Sequence, residues 1–105
     1  MVLPLSEREA EIADCVDKVL TEVLGEFAKR AIMITMNEKG ITPSDIVNQP
    51  DRFMDGLRSV FGSGAGVLEK AFIFEVCKRF RVDTRSVANL SFADLVKRMR
   101  NHSEG

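Results

Sequence analysis

The chain has no tryptophan, no tyrosine, one histidine, two cysteines and three prolines in 105 residues. Each scarcity removes something. His102 stands near the C-terminal end, in a tail (residues 101–105) expected to fray, where it makes a poor base and a poor metal ligand. Cys15 and Cys77 lack CxxC spacing and fall within apolar helical patterns. They read as buried free thiols of a reducing compartment rather than as a disulfide or a redox pair. No apolar run approaches the ~20 residues of a membrane span. The opening MVLPLSEREAE has neither a basic stretch nor a long apolar one, so no signal peptide is expected there, and the cytoplasm is the expected location. Aromatic chemistry rests on seven phenylalanines, all at positions where apolar periodicity asks for core, so no stacking surface for nucleic-acid bases is expected of them.

What is present is a globular composition. Hydrophobic residues make up 45% of the chain, enough to fill one core, and charged residues 30%, enough to coat helices. The length fits one domain. The net charge of −1 conceals an asymmetry: residues 1–55 carry 6 Lys/Arg against 11 Asp/Glu, and residues 56–105 carry 9 against 5. Such halves suggest complementary faces, either within the fold or between two copies.

The periodicity is helical throughout. Ser6 and Glu9 have the spacing of a capping box, with Leu5 and Ala10 placed for a hydrophobic staple. Ile12, Val16, Val19, Val23 and Phe27 then follow at three- and four-residue steps. Gly25 interrupts this stripe and predicts a kink, a break, or a close approach to another helix. Residues 26–39 resume the pattern; the β-branched run AIMIT would suit a strand, but it has no partner strand, so a helix ending at Gly40 is expected. Thr42-Pro43-Ser44-Asp45 opens a short turn of helix, and Pro50 opens another carrying Phe53, Met54, Leu57, Val60 and Phe61. The stretch from Val67 to Phe80 is apolar on most of its circumference and predicts a central helix shielded on several sides. Asp83 or Thr84 caps a short turn. Ser91 and Asp94 open a last helix striped by Phe92, Leu95, Val96 and Met99. The expectation is one all-α domain of five or six helices around the element at 67–80, with residues 1–5 frayed like the C-terminal tail.

Three features carry candidate chemistry. Gly62, Ser63, Gly64 and Gly66 could present backbone N–H groups to an anion. They follow a helix rather than a strand and lack the GK[ST] ending of a phosphate loop, so they read as a helix cap and tight turn whose small residues let helices approach. Lys78, Arg79, Arg81, Arg85, Lys97, Arg98 and Arg100 gather positive charge near the ends of two helices, either as a nucleic-acid patch or as complements to helix dipoles. Asp14 and Asp17 form a chance carboxylate pair on a polar face, and Cys77 lies too deep in an apolar pattern to be a nucleophile. No catalytic set, metal site or cofactor is expected.

Residues 40–80, GITPSDIVNQPDRFMDGLRSVFGSGAGVLEKAFIFEVCKRF, resemble the core of a small helical archaeal family, the Nitrosopumilus output domains. The shared pattern falls on Gly40, Ile41, Asp45, Ile46, Pro50, Phe53, Leu57, Val60, Phe61, Gly62, Gly64, Ala65, Leu68, Glu69, Lys70, Ile73 and Phe80, and the resemblance covers roughly residues 19–100. It implies a signalling output or adaptor domain that works by contact with partners, and it brings no catalytic residues. The segment RFRVDTRSVANLSFADLVKRM is similar to the end of acyl carrier domains, yet no Asp-Ser pair stands at a helix start to carry a phosphopantetheine arm. The apolar content of so small a domain favours completing the core as a homodimer. Nucleic-acid binding through the basic rear half is the alternative.

Overall fold

The first helix, α1 (Glu7–Leu24), opens with Glu7 and Glu9 at its positive end. It buries Ile12, Cys15, Val16, Val19 and Leu20 at helical spacing. Beyond Leu20 the stripe leaves the core, and Val23 is exposed. The computed structural model describes residues 7–102; Ser6, Leu5 and the expected capping box and staple lie outside them, as do residues 1–5 and 103–105.

Gly25 breaks the helix rather than kinking it. Its φ of +87° is a conformation that side chains rarely adopt, and a Cβ there would meet no atom within 4 Å. Backbone torsion, not a close helix contact, is what calls for glycine. Its N–H donates to the Thr21 carbonyl at 2.9 Å and its own carbonyl accepts from Lys29 N–H at 3.0 Å, so one residue closes α1 and opens the next helix.

That helix, α2 (Glu26–Glu38), includes the AIMIT run, and no strand occurs among the described residues. Thr35 is accommodated by donating its hydroxyl to the Ala31 carbonyl at 2.9 Å. Gly40, at φ +80°, ends it: Gly40 N–H donates to Asn37 and Ile41 N–H to Met36, both at 2.9 Å, the two bonds of a Schellman closure. The short α3 (Asp45–Asn48) starts just past the Thr42-Pro43 signature. The Asp45 carboxylate reaches back to accept from Thr42 N–H at 2.9 Å.

Pro50 stands at the first position of α4 (Pro50–Phe61). Gly56 in its middle is buried, and a Cβ there would sit 2.6 Å from Ile41 Cδ1 and 2.8 Å from Met36 Sδ. This glycine, rather than the later cluster, lets helices meet closely. Gly62, at φ +60°, closes α4 by donating to the Arg58 carbonyl at 2.8 Å.

The central element is α5 (Gly64–Phe80), packed against α1, α4 and α6. Leu68, Phe72, Val76 and Cys77 are buried. The Phe72 ring lies 6.2 Å from that of Phe53 and 5.4 Å from that of Phe92, so three helices share one aromatic cluster. Full enclosure does not hold, however: Val67 is 70% and Phe74 61% exposed. Three neighbouring helices cover only part of the circumference, and one line of α5 faces water.

Asp83 caps the 3-10 turn Thr84–Val87 by accepting from Arg85 N–H at 2.9 Å. The last helix, α6 (Phe92–His102), extends through the first two residues of the tail expected to fray. Ser91 Oγ accepts from Asp94 N–H at 3.0 Å and the Asp94 carboxylate reaches Ser91 N–H, the expected capping pair. The adjacent Phe92 N–H donates to the Glu69 carboxylate at 2.9 Å, which ties the start of α6 to α5. The acidic and basic halves of the sequence meet within the fold: Glu9 pairs with Arg100, Glu11 and Asp14 with Arg79, and Asp51 with Lys97.

Candidate functional site

The glycine turn offers little to an anion. Ala65 and Gly66 N–H groups already donate to the Gly62 and Ser63 carbonyls at 3.1 and 3.2 Å. Ser63 makes no side-chain cap bond. A Cβ on Gly62 or Gly66 would meet no atom within 4 Å, and one on Gly64 only Phe61 Cβ at 3.7 Å, so these glycines do not bring helices together. The small residue that does pack is Ala65, fully buried at the first turn of α5. The cluster is the C-cap of α4 at Gly62, a turn at Ser63 and the first turn of α5, where Gly64 and Gly66 are helical rather than part of the expected turn.

The seven basic residues at the rear of the sequence have different fates. Arg79 donates to the carboxylates of Glu11 and Asp14, with Glu75 at 3.7 Å, and the Glu11 bond raises its pKa further. Arg100 donates to Glu9 at 3.0 Å and to the Val47 carbonyl at 3.2 Å. Lys97 holds Asp51 at 2.6 Å and Arg85 holds Asp83 at 3.1 Å, which lowers the Asp83 pKa. Four of the seven are thus engaged by the protein's own carboxylates. Lys78, Arg81 and Arg98 make no ion pair among the described residues.

The buried interior is apolar but for one side chain. Cys15 and Cys77 are free and buried. Burial pushes the Cys15 thiol up to about 11, against the pull of the Arg79 charge. Burial, with the nearby Asp83 charge, raises Cys77 as well. Glu75 is the one charged side chain buried among the described residues, and it accepts from Lys18 Nζ at 3.2 Å. No three His, Cys, Asp or Glu side chains cluster among the described residues in a way that could hold a metal ion. Asp14 and Asp17 are committed to Arg79 and Lys29.

No family model, curated protein or solved structure matches the chain. No helix among the described residues is long and apolar enough to cross a membrane.

The conspicuous surface features are apolar. On α2, Phe27 is 89% and Ile34 60% exposed, one line of the helix at seven-residue spacing, facing away from the buried line of Ile32 and Met36. Val23, at the end of α1, is exposed as well. On α5, Val67 and Phe74 form a second exposed line with Lys70 between them. Beside it Ile73, Phe74, Val87, Ala88 and Leu90 wall a slot of about 250 Å³ with Lys70 and Thr84 at its edge. Two further hollows add less. A groove of about 320 Å³ between α1 and α2 has its two rim carboxylates already paired, and an open acidic hollow is lined by Glu7, Ala10, Glu11 and Asp14. Periodicity counted Phe27 and Phe74 as core. On α2 a signal was available, since 27 and 34 lie on a different helical line from 32 and 36. On α5 the excess of apolar residues hid it.

Proposed function

We propose that the chain is a non-enzymatic interaction module, an output or adaptor domain of archaeal-type signalling that works as a homodimer. The observation that carries this reading is the outward line of α2. A phenylalanine nearly nine-tenths exposed, with an isoleucine two turns on, is apolar surface of a kind that marks contact sites when it is contiguous. A two-fold pair is the commonest way for a domain of this size to cover it. The pairing of acidic α1 with basic α5 and α6 inside the fold leaves apolar contact, not the complementary halves, as the force between copies. The signalling context rests on the resemblance over residues 40–80.

Sedimentation velocity at micromolar concentration tests it. The expected species has about twice the 11.7 kDa chain mass, and Phe27→Glu with Ile34→Glu returns it to the monomer. A wild-type protein that stays monomeric overturns the homodimer.

Nucleic-acid binding is the second reading, favoured by Phe74 standing exposed between Lys70 and Lys78. Affinity that falls steeply with salt marks that reading, because counterions are released on binding, whereas apolar pairing responds weakly to salt.

A further inference from the structure

The outward line of α5 is more than an apolar stripe. Val67, Lys70, Phe74 and Lys78 follow at steps of three and four, so they share one side of the helix, and Arg81 stands at its closing residue. All five are exposed. The three cations have no carboxylate partner among the described residues, and the acids of α5 and of the turn after it are engaged elsewhere. Glu69 accepts from Phe92 N–H and lies near Arg58, Glu75 is buried with Lys18 and Arg79, and Asp83 is held by Arg85.

Arg81 supplies a second, independent observation. It is the only non-glycine residue at positive φ among the described residues, at φ +58°. It occupies the left-handed closing position of α5, with Val82 N–H donating to the Cys77 carbonyl at 2.8 Å. Gly40 fills the equivalent place after α2. An arginine where glycine is the unstrained choice costs stability, and strain of this kind gathers at binding sites.

We propose that this face docks an acidic amphipathic helix of a partner protein, with one of its apolar side chains in the slot beside Phe74 and its carboxylates on Lys70, Lys78 and Arg81. From Lys70 to Arg81 the cations run about 16 Å along the axis at 1.5 Å per residue, three turns of a partner helix. The slot walls of Ile73, Val87, Ala88 and Leu90 are aliphatic and concave, which suits a branched side chain better than a flat base. The proposal rests on reading the chain as a module that acts by contact, but not on its self-association.

The test is an amide chemical-shift titration of the intact protein with a helical peptide of leucines at three- and four-residue spacing and glutamates elsewhere. The same peptide with lysines for glutamates, an oligothymidylate, and phosphatidylserine vesicles run beside it. The acidic peptide is expected to shift residues 67–90. Phe74→Ala and Lys78→Glu are each expected to weaken it at least about tenfold with unchanged circular dichroism. Arg81→Gly is expected to raise the melting temperature while weakening the peptide, which separates a binding role from a structural one. No shifts up to millimolar peptide, shifts confined to other residues, or equal binding of any of the other three probes overturns the proposal. A monomeric mass in sedimentation removes the homodimer and leaves this titration standing.

Discussion

Phe72 and Phe74 sit two residues apart on the same helix, and their surroundings are opposite. Phe72 is wholly buried between the rings of Phe53 and Phe92, while Phe74 is 61% exposed beside an open slot. Two residues turn a helix by about 200°, so the pair reports on opposite faces of one rod. Hydrophobicity therefore does not decide which side of α5 is core; the placement of α1, α4 and α6 around it does. One face of α5 holds the domain together and the other is left for contact.

The sharpest way to break that comparison is to truncate both rings. Phe72→Ala should cost about 3–5 kcal/mol, because a large cavity opens where three helices meet, and urea denaturation would show it as a lowered midpoint. A loss under 1 kcal/mol would mean that the inner face is not the core.

The burial of Cys15 on α1 has a pH signature. The Cys15 thiol has an ordinary value of 9.0 and is held near 11 in the fold. The folded state therefore keeps a proton that the unfolded chain releases first. Its contribution is fully present below pH 9 and is lost as pH rises to about 11, a fall of roughly 2–3 kcal/mol. Urea midpoints of wild type and Cys15→Ala at pH 8 and pH 10.5 check this. The wild-type chain should lose more of its stability than the variant over that interval.

Two helical glycines sharpen the contrast. Gly56→Ala forces a methyl against Ile41 and Met36, an overpacking cost of about 1–3 kcal/mol, offset in part by the better helix propensity of alanine, for a net loss of about 1 kcal/mol. Gly66→Ala meets open space and should gain about 0.5–1 kcal/mol. Melting temperatures moving in opposite directions would bear this out; shifts of the same sign would not. The smallest effect belongs to Phe74→Ala, within about 0.5 kcal/mol of wild type in the same urea titration.

Much of the fold was legible because local chemistry fixed it. Ser91 with Asp94, Asp83 before the 3-10 turn, Gly40 after α2 and Pro50 at the start of α4 each act within a few residues, and each stands where its spacing predicts. The orientation of α5 was not legible, since a helix apolar on most sides carries little periodic contrast. Phe27 falls outside the core because the stripe of α1 has already left it at Val23, and Gly25 then starts a separate helix. Nothing in the spacing of Glu11, Asp14 and Arg79 announces that residues more than sixty apart neutralise one another. The exposed side of α5, including Lys70 and the backbone of Arg81, emerged only once the neighbouring helices were in place.

The bond between Arg100 and Glu9 spans 91 positions, and the same guanidinium holds the Val47 carbonyl. During synthesis, then, the earliest helix cannot find its last brace until α6 has left the ribosome. A nascent chain halted before Phe92 would carry Phe72 with only the Phe53 ring beside it and Glu69 without the amide it accepts from, so the packing of α1 and α5 is complete only once α6 is added.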